Sequence, residues 1–358
     1  MEELLALSST FSSSRSCLLD PRPLRIAILG ATGSVGEELL RLLRTRKFPI
    51  SELTLIASSR SAGKTIWWNN QELMVQPLSK AVFNNIDLVF IAASSNISYD
   101  WTPIAVNSGA LVIDNSSAFR SDPNVPLIVP EINPQAILNH QGILANPNCT
   151  TILLTLVLGP LQSRSQIHRV VLSTYQSASG AGTRAMEELH HLSRNFLDGN
   201  EMRSQILPYS LAFNLFLHNS PMQSNGYCEE EMKMINETRK IMGLASLAIS
   251  ANCIRVPILR AHSEAVNITF ENSISLEEIR AILTTSTGIE IIEDFDGNRF
   301  PMPTDVNGRD SVAVGRLRKS LNHDNGLELW LCGDQIRKGA ALNAIQIAEL
   351  LLSRDFKR

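Results

Sequence analysis

The sequence predicts an α/β chain of two domains: a doubly wound parallel sheet over residues 24–150, then an α+β unit with a mostly antiparallel sheet over residues 151–337. Three observations carry this. Short apolar runs without strict alternation recur in the first half, separated by stretches of helical periodicity. A glycine-rich turn joins the first such run to the first helix. Beyond Cys149 the candidate strands lengthen and the crossovers become fewer. Strands covered by helices on both faces read as continuous apolar runs, whereas long strands with few crossovers suit antiparallel pairing.

In chain order, "LRIAILG" is a short apolar strand and "EELLRLLRTRKF" has helical spacing. "ELTLIAS", "IDLVFIAAS" and "ALVIDNSS" continue the strand series, and "TTILLTLVLGPLQ" reads as a buried helix. The second domain offers the strands "IHRVVLSTYQ", "CIRVPILRAHSEAVNITF", "IEIIED", "SVAVGRLRK" and "LELWLCG". Its helices are "EEEMKMINETRKIMG", with Gly243 placed as a C-cap, and "SLEEIRAILTTS". A last amphipathic helix over 338–356 is expected to pack back on the first domain. Residues 1–23 are serine-rich and read as a flexible tail; an organelle-targeting segment is the alternative, opposed by Glu2 and Glu3.

At 358 residues the chain is long for a single core, and its 44% hydrophobic and 19% charged residues are ordinary for a globular protein. A net charge of −3, from 32 basic and 35 acidic residues, points away from nucleic acid and anionic membranes as partners. No apolar run approaches the length of a membrane span. Five cysteines without C-x-x-C spacing or a neighbouring His cluster argue against a disulfide framework and a zinc site, so no metal and a cytoplasmic location are expected.

"ILGATGSVGEELL" places Gly30, Gly33 and Gly36 between a strand and a helix. Such a turn lets backbone approach a pyrophosphate while the helix N-terminus supplies partial positive charge. The G-x-x-G-x-x-G spacing differs from the commoner G-x-G-x-x-G, but its strand–turn–helix context points to a Rossmann-like dinucleotide site. The second strand ends in "SSRS" with no acid for a ribose hydroxyl. Arg60, flanked by hydroxyls, suits a 2′-phosphate and favours NADP; a solvated loop arginine is the alternative.

"LANPNCTTILL" sets Cys149 between an Asn-Pro-Asn turn and a buried helix. A thiol at a helix N-terminus is expected to have a lowered pKa and to act as a nucleophile. The other cysteines, Cys17, Cys228, Cys253 and Cys332, read as small buried residues. Beside a nicotinamide, such a thiol converts an aldehyde to a thiohemiacetal and then a thioester, which a second nucleophile releases. His262 is a candidate acid/base for this chemistry, although a lone histidine is more commonly a satisfied polar residue.

The motifs "GATGSVG", "ASSRSAGK", "IDNSSAFR", "PNCTT", "TYQSASGAG", "EEEMK", "RVPILRAHSE" and "RKGAALNA" occur in the order seen in aspartate-semialdehyde dehydrogenases, and the chain resembles that family from about Leu24 to the C-terminus. The resemblance implies roles. Cys149 matches the nucleophile, Gln176 the residue that holds substrate and orients the thioester, and His262 the general acid/base. Arg255 matches the clamp for the substrate carboxylate, Glu230 a glutamate near the substrate, and Arg120 with Lys233 the phosphate-binding pair. The cofactor set is Gly30, Thr32, Gly33, Ser34, Val35, Gly36, Arg60, Ser61, Ser179, Gly180 and Gln335. The implied reaction is the reversible, NADP-dependent reductive dephosphorylation of L-aspartyl-4-phosphate. The implied assembly is a homodimer or dimer of dimers joined through the second domain.

Residue-level reading supports parts of this. Glu230 and Lys233 are i and i+3 on a predicted helix and share a face, as a surface salt-bridge pair also would. Arg255 and His262 are an odd number of residues apart, so an unbroken strand would point them to opposite faces. Both reach one cleft only if the strand is interrupted, and Pro257 is the expected place. Two features depart from the family: Gln335 stands where many relatives have asparagine, and the N-terminal extension lacks a counterpart in compact bacterial enzymes. The rival readings are a sister reductase of N-acetylglutamyl phosphate, whose Gly-Cys-Tyr-Pro-type run does not match "NPNCTT", and a non-catalytic NADP-binding regulator.

Overall fold

The computed structural model describes residues 18–353. Two seven-stranded sheets organise them. The first has the order β3-β4-β2-β1-β5-β6-β7, built from β1 (Leu24–Leu29), β2 (Ile50–Ala57), β3 (Thr65–Trp68), β4 (Gln71–Pro77), β5 (Leu88–Ile91), β6 (Leu111–Asp114) and β7 (Ile143–Ala145). Every pairing is parallel except β3 with β4, an edge hairpin that the apolar-run pattern does not reveal because its turn residues, Asn69 and Asn70, interrupt a short polar-rich segment. Both asparagines have positive φ, 46° and 63°, as a tight hairpin turn requires.

Helices α1 (Ser34–Thr45) and α2 (Ser95–Asn107) flank this sheet, so strands such as Leu88–Ile91 are buried on both faces. The last helix among the described residues is α8 (Leu342–Leu352), entered through a π-helical turn at Arg337–Ala341. Leu342, Ile345, Ala348 and Leu351 pack with Leu24, Ile26 and Leu39 in one apolar cluster of the first sheet. Residues 1–17 of the expected tail, Cys17 among them, lie outside the described residues, and the last helix stops at Leu352, short of the expected 356, where Ser353 turns extended.

The second sheet has the order β12-β13-β14-β11-β8-β10-β9, from β8 (Ile167–Gln176), β9 (Phe216–Leu217), β10 (Ala248–Arg255), β11 (His262–Phe270), β12 (Ile289–Ile291), β13 (Val312–Lys319) and β14 (Gly326–Gly333). Four of its six pairings are antiparallel; β10 with β8 and β12 with β13 are parallel. The apolar stretch across 253–270 is therefore two strands, not one. They are separated in the sheet by β8, and residues 256–261 carry the chain over its end. Ala261, at φ 78°, turns the backbone into β11.

Five further α-helices belong to this domain, the last a single turn: α3 (Cys149–Gln162), α4 (Thr183–Leu197), α5 (Glu229–Met242), α6 (Leu276–Thr285) and α7 (Pro303–Val306). Helix α3 is buried continuously from Thr150 to Leu158, as expected of a helix apolar on every side. Ile152, Leu153 and Leu156 join Val170, Leu172, Val266 and Leu331 in the main core, which fixes the helix whose first residue is Cys149. Each such buried aliphatic side chain contributes about 1.5–3 kcal/mol of burial. Helix α5 begins with three glutamates in its first turn, favourable toward the helix dipole, and ends on Gly243 in the left-handed region at φ 66°.

Candidate active site

The glycine turn forms the first wall. Gly30 has φ 93°, and a Cβ there would lie 2.1 Å from Ala92 O; at Gly36 it would lie 2.2 Å from Gly30 O. Both glycines are demanded by close backbone approach. Gly33 is the N-cap of α1, and no side chain caps that end. The Thr32 hydroxyl donates to Ser61 Oγ at 3.3 Å, so the loop after β2, with exposed Arg60, lies against the glycine turn.

Cys149 is the first residue of α3. The side chain of Asn148 caps the helix, accepting from Thr150 N at 3.1 Å. The thiol faces a cleft of about 370 Å³ whose lining includes Arg120, Gln176, Glu230, Arg255 and His262. Lys233, Ser179, Gly180, Gln335, Ser34 and Val35 line it as well. Of the residues singled out in the sequence, Gly30, Thr32, Gly33, Gly36, Arg60 and Ser61 are outside that lining, at the ends of β1 and β2. A larger open depression of about 730 Å³ beside α4, lined by Arg184, Glu188 and His191, contains none of them.

Sheet register explains the convergence. Arg255 pairs with Gln176 across β10 and β8, and Ser263 pairs with Tyr175 across β11 and β8. His262 is one step before Ser263 and thus stands level with Gln176, so the three side chains form one row across three strands. The odd spacing of 255 and 262 is resolved because the crossover at 256–261, which contains Pro257, ends one strand before the other begins. A Cβ on Gly180 would come within 2.9 Å of Arg255 Nη1 and 3.3 Å of His262 Nε2, so only glycine leaves that row open.

The imidazole of His262 is almost fully buried, and its Nδ1 accepts from Ser177 N at 3.0 Å. An accepting Nδ1 places the single proton of the neutral ring on Nε2, the nitrogen toward Gly180. Burial, reinforced by the Arg255 cation, pushes its pKa down to about 3. Gln335 braces the same corner: its carbonyl accepts from Ala261 N at 2.8 Å and its amide donates to Ser179 Oγ.

Opposite, Glu230 Oε1 accepts from Asn148 Nδ2 at 2.9 Å and Gln176 Nε2 at 3.2 Å, and Lys233 Nζ stands 3.7 Å from Oε2. Burial works against its charge, but His218, Lys233 and these two donors outweigh it and hold the carboxylate at about 2. Arg120 donates to Asn146 O at 2.9 Å and Asn115 O at 2.6 Å, and reaches Glu237 at 3.3 Å.

The expected thiol activation by the helix end is overturned. Burial first, then the Glu230 charge, push the Cys149 thiol up to about 12, against the opposing pull of Arg120, Thr150 N–H and Arg255. A helix terminus offers only a partial charge, whereas Glu230 brings a full one to the same cleft.

Several residues escaped sequence reasoning. Glu237 accepts from Asn148 N at 2.6 Å and binds Arg120, tying the cysteine turn to the arginine. Its position, one heptad after Glu230 on α5, puts it on the same helix face and was a usable signal. His218 Nε2 accepts from Arg255 Nη2 at 2.7 Å, and Ser177 orients His262; nothing local in the sequence marks either. Among the described residues no group of three or more His, Cys, Asp or Glu side chains is arranged to hold a metal, and no helix is long and apolar enough to cross a membrane.

A glycine-turn nucleotide domain, a cysteine at the start of a buried helix, and a histidine and an arginine at the ends of two strands, all facing one cleft, define a two-domain, thiol-bearing dehydrogenase. Residues 25–140 match the model of the semialdehyde dehydrogenase NAD binding domain, and residues 158–338 that of the semialdehyde dehydrogenase dimerisation domain. Aspartate-semialdehyde dehydrogenase of Prochlorococcus marinus is 59% identical over 93% of this chain and 97% of its own length, and that of Bacillus subtilis 42% over 92% and 98%. The crystal structure of aspartate semialdehyde dehydrogenase II from Vibrio cholerae complexed with ASA superimposes with a TM-score of 0.90 at 40% identity, covering 94% of this chain and 99% of that one. The chain belongs to the aspartate-semialdehyde dehydrogenase family.

Proposed function

We propose that this chain catalyses the NADP-dependent reductive dephosphorylation of L-aspartyl-4-phosphate to L-aspartate 4-semialdehyde, reversibly with phosphate, through a thioester on Cys149. The observation that carries the reading is the convergence of Cys149, Gln176, His262, Arg255, Glu230, Arg120 and Lys233 on one cleft that Ser34 and Val35 of the glycine turn also line. A substrate with an α-carboxylate, an ammonium and an acyl phosphate needs separate partners for each group. Arg255 offers a planar fork for the carboxylate, Glu230 a counter-charge for the ammonium, and Arg120 with Lys233 cations for the phosphate.

In this reading Cys149 Sγ attacks the acyl carbon as a thiolate. The acyl C–O bond breaks, and phosphate departs between Arg120 and Lys233, leaving a thioester that Gln176 orients. NADPH, when bound, supplies the hydride that reduces the thioester carbon. His262 Nε2–H is placed as a donor to the oxygen that becomes negative. When the C–S bond breaks, the aldehyde is released and the thiolate regenerated. In the reverse direction His262 must accept a proton at Nε2, which the Ser177 N–H bond to Nδ1 opposes in the resting tautomer. The dinucleotide fits the chain: the uncapped start of α1 and the two glycines demanded by backbone approach receive a pyrophosphate, and Arg60 with Ser61 a 2′-phosphate. The match to a dimerisation domain supports a homodimer. The product is a precursor of the aspartate-derived amino acids lysine (through diaminopimelate), threonine and methionine, a cytoplasmic role.

The test is nicotinamide absorbance with phosphate and either aspartate semialdehyde or N-acetylglutamate semialdehyde, using NADP and NAD in parallel. Turnover of the free amino acid with NADP preferred is expected, and Cys149→Ala should abolish it while leaving NADP binding within about twofold. Turnover only of the acetylated compound, or none of either, overturns the proposal.

A further inference from the structure

Lys240, in the last turn of α5, is no part of the cleft lining. Its ammonium donates to three backbone carbonyls of one short segment: Arg120 O at 2.9 Å, Asp122 O at 2.6 Å and Val125 O at 2.8 Å. An ammonium has three donors and no acceptor, so these bonds use it completely. The three carbonyl dipoles converge on one point, an arrangement that repels itself unless a cation sits at the focus. The turn's backbone N–H bonds, Asp122 N to Phe119 O at 3.1 Å, Val125 N to Asp122 O at 3.2 Å and Asn124 N to Asp122 Oδ1 at 2.8 Å, are internal to 119–125.

Helix α5 thus holds residue 120 at both ends. Lys240 takes its backbone carbonyl, and Glu237, one turn earlier, takes its guanidinium at 3.3 Å. Since Arg120 also donates to Asn115 O and Asn146 O, only part of its fork is left for a ligand, and the direction of that part depends on where the backbone sits. A side pocket of about 390 Å³ is lined by Pro123, Asn124, Val125 and Lys240 among others.

We propose that Lys240 is a positioning residue for the phosphate end of the cleft: its ammonium fills a carbonyl cup as a bound monovalent cation would, and so aims Arg120. This rests on the reading of Arg120 as a phosphate ligand.

The experiment compares wild type, Lys240→Met and Lys240→Ala in the phosphate-dependent oxidation of aspartate semialdehyde, with phosphate binding measured separately by calorimetry. In Lys240→Met, KM and Kd for phosphate should rise at least tenfold, while kcat and the semialdehyde KM stay within about twofold. In Lys240→Ala, ammonium chloride should recover at least half of the lost phosphate affinity, and tetramethylammonium chloride at equal ionic strength should not. Unchanged phosphate constants overturn the inference. So does a loss spread equally over both substrates and kcat that ammonium does not relieve, since that marks a merely structural lysine. A wild type that fails to turn over sinks the functional reading instead. The calorimetric arm then decides alone: phosphate binding weakened in Lys240→Met upholds the role of Lys240, and wild type that binds no phosphate refutes it.

Discussion

Replacing Glu230 by glutamine should make the Cys149 thiol more reactive in the free protein while weakening substrate binding. The change is nearly isosteric. Its carbonyl can still accept from Asn148 Nδ2 and Gln176 Nε2, and Lys233 keeps Glu229 at 2.7 Å, so the helix and the cysteine turn stay in place. What disappears is one negative charge in a buried cleft. Two unit charges about 6 Å apart at an effective dielectric near 20 interact by about 3 kcal/mol, or about two pKa units, which sets the scale of the effect. The thiol, pushed up to about 12 by burial and this carboxylate, should therefore titrate about one to two units lower. Well below the pKa, each unit is a tenfold gain in thiolate. The assay is the pH dependence of iodoacetamide alkylation, with Cys149→Ala as the background for the other cysteines. An unchanged or higher inactivation pKa in Glu230→Gln refutes the electrostatic account. If the substrate ammonium docks at Glu230 as proposed, it cancels that charge and leaves Arg120, Arg255 and the helix end to favour the thiolate, so the proposed nucleophile would be activated chiefly when substrate is present.

Gly180→Ala should fold with a melting temperature within about 2 °C of wild type. Its Cβ meets Arg255 Nη1 at 2.9 Å, so the guanidinium must move, and the semialdehyde KM should rise at least tenfold, about 1.4 kcal/mol; a wild-type KM would show that Arg255 does not clamp the substrate. Glu264, fully buried on β11, has its pKa raised well above the usual value by burial. Below about pH 4.5 it is protonated folded or unfolded and costs nothing. As pH climbs toward its folded pKa, only the unfolded chain gains from ionisation, so stability falls across that window. Thermal melts of Glu264→Gln and wild type from pH 4 to 9 should diverge in the variant's favour as pH rises, and a gap independent of pH would count against a buried neutral carboxyl.

Local signals in the sequence reached far into the site. The glycine turn is readable because backbone approach demands glycine wherever it occurs, and Gly30 and Gly36 do stand against backbone at contact distance. Cys149 is readable because an Asn cap followed by an apolar run is a helix start whatever surrounds it. The edge hairpin β3–β4 was not readable, since its strands are short and half-polar. His218, Ser177, Glu237 and Lys240 were missed because their work is done on residues far away in the chain.

By itself the sequence determined the two-sheet plan, the place of Cys149 at a helix start and the need for a break between Arg255 and His262, all of which follow from spacing along a few consecutive residues. Only the tertiary structure decided that β8 lies between the strands carrying those two side chains and brings both level with Gln176. It also decided that solvent exclusion and the Glu230 carboxylate push the Cys149 thiol up rather than down, since such a shift is summed over neighbours from the whole chain, a quantity that spacing along a single segment does not contain.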